Sequence, residues 1–266
     1  MLQSERGGAA YFARLRAHLD QEFRLLRTAI AAADPAWRVP SCPEWDADRL
    51  AHHVAETYLH KVACIEQGKM PEDWPPADLD PSPTGVLDEA YAALSSCFDR
   101  HRPRDPAATW HGPDQTVGFW IRRMCQELVV HRVDAELTAG LELAPIPEDI
   151  ALDGVDEFLT LFLAFLSEEW PDHFADVLRG ADQRPVTIAA GGREWTLTAG
   201  PARVAVGEYL VPDASAYERS EAARIGGEPG QVLLWLWGRL DDRSVRRTGD
   251  PELAAQFATL RRKGTQ

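Results

Sequence analysis

The segment between Phe119 and Gly140 constrains the fold of this chain more than any other part of the sequence. Its apolar residues recur every three or four positions, which predicts one amphipathic helix, and the glycine at its end is a common helix stop. A second stripe of the same helix consists of Trp120, Arg123, Glu127, His131 and Asp134. Because residues three and four apart share a helix face, these side chains project from one side.

Glu127 and His131 stand four residues apart within this stripe. A carboxylate and an imidazole on consecutive turns can bind one metal ion, and other metalloenzymes place paired ligands on a helix in the same way. The same spacing also occurs in ordinary helix-stabilising pairs, which contribute about 0.2–0.5 kcal/mol. Spacing alone therefore leaves both interpretations open.

Residues 1–142 are predicted to form an antiparallel four-helix bundle. Three further amphipathic segments precede the helix described above, and proline-containing loops separate several of them. The predicted helices span Gly7–Ala33, residues 47–68, Thr84–Arg100 and Phe119–Gly140. Asp46 is the predicted N-cap of the second helix, because its carboxylate can accept hydrogen bonds from the N–H groups of the first turn.

The sequence changes character after residue 142, where a proline-containing linker leads to a second predicted domain, residues 148–266. A helix is followed there by short segments of strand character separated by Gly-Gly or Gly-Pro, which is typical of hairpins. We predict helices at Ile150–Trp170, Gln231–Leu240 and Asp250–Arg262, and strands at Val186–Ala190, Glu194–Ala199, Ala202–Gly207 and residues 244–249. The predicted fold class is therefore α+β with two domains: a four-helix bundle, then a small α+β domain with an antiparallel sheet.

Composition and charge argue against two classes of function. The net charge is −14, which repels a nucleic-acid backbone, and no basic patch compensates for it. The longest apolar run, Phe158–Leu166, is about half as long as a membrane-spanning helix requires. The first residues also lack the apolar core of a signal peptide. We therefore expect a cytoplasmic protein that binds neither nucleic acid nor membrane.

Three stretches of the sequence carry a family resemblance. They are VPSCPEWDADRLAHHVAE (Val39–Glu56), the segment Val117–Gly140, and LLWLWGRL followed by TGDPEL near the end of the sequence. Together they resemble the mycothiol-dependent maleylpyruvate isomerase family of actinobacteria. Members of that family join a DinB-like metal-binding four-helix bundle to a small α+β domain that resembles sterol-carrier proteins. The resemblance covers most of the chain and implies the same two-domain fold here.

In that family, a histidine in the pattern W-x-x-x-x-L-x-x-H and both residues of E-x-x-x-H bind a divalent metal. The first pattern runs here from Trp45 through Leu50 to His53, and Glu127 and His131 form the second. The resemblance therefore implies that His53, Glu127 and His131 are the metal ligands. Two imidazoles and one carboxylate leave open positions on Zn²⁺, as a catalytic site requires, and nickel and iron are alternatives for this ligand set.

The resemblance also implies a reaction. An open position on the metal can take a thiol, which then loses its proton near neutral pH, and mycothiol would be that thiol. The implied enzyme is an isomerase or a thiol S-transferase that acts on a small, anionic electrophile such as maleylpyruvate. In the isomerase, the thiolate adds to a cis double bond, the resulting single bond rotates, and elimination releases the trans isomer. The expected partners are a small-molecule substrate and a low-molecular-weight thiol, and the expected protein is a monomer or a homodimer.

Two other functions stay open on the sequence alone. The chain could be a non-catalytic binding protein, in which a metal stiffens the bundle and a cleft holds a ligand or a thiol. A fourth protein ligand that closes the metal site would favour that reading, whereas an exchangeable position favours an enzyme. An enzyme that uses another thiol, or none, on the same scaffold is the third option.

Three further residues receive roles from the sequence. Arg123, one turn before Glu127, can pair with it or bind a substrate carboxylate, and we assign it to cofactor binding. Asp134 can orient His131 from one turn away, although an exposed or helix-pairing aspartate is the other interpretation. The resemblance implies that an arginine of the second domain reaches the active-site cleft and binds an anionic substrate there, and Arg239 is the candidate for this catalytic role.

Overall fold

The computed structural model of the chain describes residues 7–72, 74–76, 78–210 and 222–265, and of residues 208–210 only the backbone. Two compact units make up the chain, Met1–Ala144 and Pro145–Gln266. The first unit is mainly helical, and the second contains a sheet with antiparallel strands. These observations confirm the predicted fold class.

In its described part, the first unit combines four helices with a two-stranded hairpin. These elements are α1 (Ala9–Ala32), β1 (Arg38–Val39), β2 (Cys42–Asp46), α2 (Ala47–Gln67), α3 (Pro83–Arg100) and α4 (Val117–Thr138). The four helices agree with the predicted ones to within two residues at each end. The β1–β2 hairpin lies outside the prediction, because strands this short show no measurable alternation of polar and apolar residues.

Side-chain caps determine where α2 and α4 begin. The carboxylate of Asp46 accepts a hydrogen bond of 2.9 Å from the N–H of Arg49, so the predicted N-cap of α2 is confirmed. The hydroxyl of Thr116 accepts a hydrogen bond of 3.3 Å from the N–H of Phe119 at the start of α4. Caps of this kind contribute about 0.5–2 kcal/mol each. They fix the first turn of the two helices that carry the candidate site.

Helices α2 and α4 pack side by side in opposite directions. His53, near the start of α2, faces Glu127 in the middle of α4. The ammonium of Lys61, near the end of α2, lies 4.7 Å from the ring centre of Trp120, near the start of α4. The polar stripe of α4 therefore faces α2.

Helices α2 and α3 run parallel, and the carbonyl oxygen of Asp80, shortly before α3, lies 3.2 Å from Nε2 of His52 near the start of α2. Tyr58 and Tyr91, in the middle of the two helices, have ring centroids 6.1 Å apart. Glu66 and Arg100 form an ion pair at the two C-terminal ends. The antiparallel contacts of the bundle are those between α2 and α4 and between α1 and α3.

Within the described residues, the second unit contains a five-stranded mixed sheet. Its strands are β3 (Val186–Ala190), β4 (Arg193–Ala199), β5 (Val204–Leu210), β6 (Ala223–Gly227) and β7 (Arg246–Gly249), in the spatial order β5-β4-β3-β6-β7. Neighbouring strands are antiparallel except β3 and β6, which are parallel. The predicted strands correspond to β3, β4, β5 and β7. Strand β6 lies outside the prediction, because it is short and ends in two glycines, which weaken a strand pattern.

Helical segments pack against this sheet. They are α5 (Glu148–Glu157), a π-helical segment (Phe158–Phe165), α6 (Leu166–Glu169), α7 (Pro171–Leu178), α8 (Pro229–Leu236) and α9 (Pro251–Lys263). The helix predicted at Ile150–Trp170 thus has a π-helical middle, and it ends where Pro171 begins the next helix. The side chains of Ile188, Trp195 and Ile225 are fully buried and form part of the core. In the part of the chain that the structure describes, no helix is long and apolar enough to cross a membrane.

Helix α8 ends at Leu236, four residues before the predicted end. Gly238 has a φ of 74°, and its N–H donates to the carbonyl of Trp235 at 3.0 Å. The next N–H, that of Arg239, donates to the carbonyl of Leu234 at 2.8 Å. This is a Schellman ending, which requires a left-handed residue and so favours glycine. Arg239 consequently lies in the turn after the helix.

Candidate metal centre

Three predicted metal ligands meet where α2 packs against α4. His53 comes from α2, and Glu127 and His131 come from consecutive turns of α4; we call them the ligand triad. The Nε2 atoms of His53 and His131 lie 3.5 and 3.2 Å from the same oxygen, Oε1 of Glu127. One ligand atom from each residue lies within 4.8 Å of the other two. Helical spacing alone brings Glu127 and His131 together. The antiparallel packing of α2 against α4 adds His53, which is far from them in the sequence.

The distances within the triad fit one divalent metal ion. Two atoms bound to a tetrahedral zinc ion at roughly 2.0–2.2 Å are about 3.3–3.6 Å apart. Both nitrogen-to-oxygen distances, 3.5 and 3.2 Å, are close to that separation. The two imidazole rings meet edge to face, with centroids 4.9 Å apart. The rings therefore do not stack, and both Nε2 atoms can approach Glu127. Three such ligands are fewer than the four that close a structural zinc site.

The carboxylate of Glu127 is held as an anion. Its Oε2 accepts a hydrogen bond of 2.6 Å from Nη2 of Arg123, whose side chain is buried. Burial favours the neutral acid, but the charges of Arg123 and His131 outweigh it and hold the pKa of Glu127 well below its usual range. An ionised carboxylate is the form that binds a metal.

A second carboxylate fixes the ring of His131. Its Nδ1 lies 2.9 Å from Oδ2 of Asp134, which is fully buried, and this is one of the two arrangements that the sequence left open. The hydroxyl of Ser41 donates to the other oxygen of Asp134. Burial opposes a charged imidazole, but Glu127 and Asp134 outweigh it and raise the pKa of His131 to about 9. A metal ion must therefore displace a proton when it binds this residue.

The β1–β2 hairpin contributes two residues to the site. The ring of Trp45, in β2, has its centroid 4.5 Å from that of His53 and 6.0 Å from that of His131. Ser41 lies in the turn between the two strands and contacts Asp134. Sequence analysis missed both contacts. Trp45 served there only as a position in a pattern, and no periodicity could place Ser41 near α4.

Two other histidines of α2 lie outside the triad. The ring nitrogens of His52 lie 2.9 and 3.2 Å from the carbonyl oxygens of Asp48 and Asp80. Nδ1 of His60 lies 3.1 Å from Nζ of Lys61. Burial, together with that ammonium, lowers the pKa of His60 to about 4. These contacts agree with the sequence analysis, which assigned neither residue to the metal.

The two candidate arginines differ in their surroundings. Arg123 pairs with Glu127, which is one of the two arrangements that the sequence allowed. Arg239 belongs to the second unit, where its Nη1 donates to the carbonyl of Trp237 at 2.7 Å. That carbonyl lies at the C-terminal end of α8, where a cation interacts favourably with the helix dipole. Cofactor binding by Arg123 and substrate binding by Arg239 stay predictions.

A second group of metal-ligating side chains lies at the C-terminal ends of α2 and α3. It consists of Glu66, Cys97 and His101. Arg100 forms an ion pair with the Glu66 carboxylate at 2.5 Å. Burial, together with Glu66, raises the pKa of the Cys97 thiol to about 12. Because a thiol must lose its proton to bind a metal, this group is a weaker candidate than the ligand triad.

Two family profiles match the chain. The profile of the mycothiol maleylpyruvate isomerase N-terminal domain matches residues 16–136, and the profile of the C-terminal domain of the same family matches residues 149–256. The first match includes every residue of the ligand triad. A search of curated proteins finds no match.

Solved structures with the same fold are also found. The crystal structure of the mycothiol-dependent maleylpyruvate isomerase is 15% identical, with 89% of this chain and 92% of that chain covered and a TM-score of 0.59. The crystal structure of a histidine-to-alanine mutant of the mycothiol-dependent maleylpyruvate isomerase is 13% identical, with the same coverage and a TM-score of 0.57. At these identities the similarity shows the fold.

Proposed function

The chain belongs to the mycothiol-dependent maleylpyruvate isomerase family, and on that premise we propose that it is a metal- and mycothiol-dependent enzyme. Family membership supports a mycothiol-dependent enzyme. The finer proposal is an isomerase or a thiol S-transferase that acts on a small, anionic electrophile such as maleylpyruvate. The observation that carries it is the convergence of His53, Glu127 and His131 on one point between α2 and α4.

We propose that the ligand triad holds one divalent metal, with zinc favoured and nickel or iron as alternatives. Bound there, the metal would supply the positive charge that keeps a thiol ionised near neutral pH. The Arg123 guanidinium donates to Oε2 of Glu127, so Oε1, which lies near both imidazoles, is the oxygen that would hold a metal. Asp134 accepts a hydrogen bond from the Nδ1–H of His131, so Nε2 is the atom that would hold a metal once it has lost its own proton.

Two arginines complete the proposal. Arg123 donates from Nη2 to Glu127, which places its planar guanidinium beside the ligand triad. We propose that this guanidinium also contributes to binding of the thiol cofactor. Arg239 is proposed to bind the anionic group of the substrate, since a guanidinium matches the geometry of a carboxylate.

Replacement of Arg239 by methionine is expected to raise KM for an anionic substrate about 10- to 100-fold, because a hydrogen bond to a charged group contributes roughly 1.5–3 kcal/mol. Metal content should not change. Steady-state kinetics on maleylpyruvate would measure the effect. The matched control is Arg243→Met, which removes an exposed cation four residues further on. An unchanged KM in Arg239→Met, or an equal rise in the control, would remove Arg239 from the substrate site.

The reaction itself can be tested with purified protein, maleylpyruvate and a choice of thiols. We expect cis-to-trans isomerisation that requires both a bound divalent metal and mycothiol, and that stops after chelation of the metal. Formation of a stable thiol conjugate, detected by mass spectrometry, would favour the S-transferase. Full activity without any thiol, or after complete removal of the metal, would contradict the proposed function.

A further inference from the structure

We propose that Ser41 is a positioning residue of the metal centre, which holds His131 in place through the carboxylate of Asp134. This inference rests on the proposed metal-dependent function and goes beyond its ligand set. It adds to the site a residue from the β1–β2 hairpin, which lies far from α4 in the sequence.

The inference starts from a chain of hydrogen bonds. The hydroxyl of Ser41 donates to Oδ1 of Asp134, and Oδ2 of the same carboxylate lies 2.9 Å from Nδ1 of His131. Asp134 has no exposed side-chain surface, so solvent cannot replace a lost donor easily. One oxygen of this buried carboxylate therefore accepts a hydrogen bond from the hairpin, and the other contacts the histidine.

The chain of bonds determines which nitrogen of His131 can meet a metal. A carboxylate accepts only, so the Nδ1 that faces Asp134 carries a proton. The lone pair for a metal is then on Nε2, which lies 3.2 Å from Oε1 of Glu127. Partners of this kind orient metal-binding imidazoles, and their loss typically costs about 10- to 100-fold in metal affinity.

Ser41 acts on the orientation of the carboxylate. The terminal torsion of an aspartate is broad, so the plane of the carboxylate depends on the hydrogen bonds that it accepts. The bond from Ser41 restrains that plane from the side of the hairpin. The same hairpin places Trp45 with its ring centroid 4.5 Å from that of His53. One short hairpin thus restrains the imidazoles from both α2 and α4.

The test compares metal affinities in a graded series of variants. Ser41→Ala removes the hydroxyl, and we expect about 10- to 100-fold weaker zinc binding in competition with a chromophoric chelator. Ser41→Thr keeps the hydroxyl and should bind zinc nearly as tightly as the original chain. Ser41→Cys has a weaker hydrogen-bond donor, so its zinc affinity should lie between those of Ser41→Ala and Ser41→Thr. The Co²⁺-loaded forms should show an altered visible spectrum in Ser41→Ala and the original spectrum in Ser41→Thr.

Ser82→Ala is the matched control for a loss of stability alone. The Ser82 hydroxyl caps α3 by accepting a hydrogen bond of 3.3 Å from the N–H of Gly85. Its removal should lower the melting temperature but leave the zinc affinity unchanged.

The outcomes separate this inference from the proposed function. If the original chain binds zinc and Ser41→Ala binds it equally well, the role of Ser41 is wrong and the metal site stands. If the original chain binds no divalent metal, both proposals fall. Should Ser41→Ala not fold, an unchanged affinity in Ser41→Cys would overturn the inference, and a weakened one would support it.

Discussion

Replacement of His53 by alanine is expected to remove the bound metal and, with it, the thiol-dependent activity. The variant loses one of three protein ligands, which should cost more than the roughly 10- to 100-fold drop in affinity caused by losing an outer partner. We therefore expect more than about 100-fold weaker zinc binding. The fold should be retained, because the His53 side chain is 27% exposed and its loss opens no core cavity. Elemental analysis after gel filtration measures the bound metal, and circular dichroism measures whether the fold is retained.

His52→Ala is the control for this variant, because it removes the adjacent imidazole from the same helix. His52 contacts the carbonyl oxygens of Asp48 and Asp80 and takes no part in the ligand triad. We expect a metal content equal to that of the original chain. Full metal content and full activity in His53→Ala would show that the ligand set is wrong.

Replacement of Arg132 by methionine is expected to give the largest loss of stability in the first unit. Arg132 has no exposed surface, and its guanidinium binds Glu22 on α1 and Glu136 on α4 at 2.6 Å each. Methionine fills a similar volume but leaves two buried carboxylates without their cation. Breaking a buried ion pair in this way costs about 3–5 kcal/mol. Urea unfolding and amide hydrogen exchange in α1 and α4 would measure the loss.

The comparison for this prediction is Arg27→Met, which breaks an ion pair on the surface of the same bundle. Arg27 binds both oxygens of Asp88 at 2.7 and 2.8 Å, but both side chains are nearly half exposed. Exposed ion pairs contribute little to stability, so this variant should unfold at nearly the original urea concentration. Equal stabilities for the two variants would mean that the buried network does not hold α1 against α4.

Part of the site could be predicted from helical geometry. Glu127 and His131 are four residues apart, so any helix through this segment places them on one face. His53 is different, because nothing in its local sequence relates it to α4; only the family pattern ending in Leu50 and His53 made it a candidate. The reason is physical: its place in the triad depends on the antiparallel packing of α2 against α4, which is a tertiary contact.

Other features were beyond the sequence because they depend on backbone conformation. The β1–β2 hairpin that carries Ser41 is too short for a periodic pattern, so its contact with Asp134 could not be predicted. The end of α8 depends on Gly238, whose left-handed conformation stops the helix inside an apolar run that looked continuous. Apolar periodicity predicts where helices exist, whereas their ends and the short strands follow from single residues.

Metal analysis followed by calorimetric titration with mycothiol tests the central claim most directly. The purified chain should contain close to one divalent metal per molecule and bind mycothiol, and thiol binding should vanish after the metal is removed and return when it is restored. That result would support a metal-bound thiolate at the ligand triad. A protein that takes up no divalent metal, or that binds mycothiol equally well without it, would contradict the account.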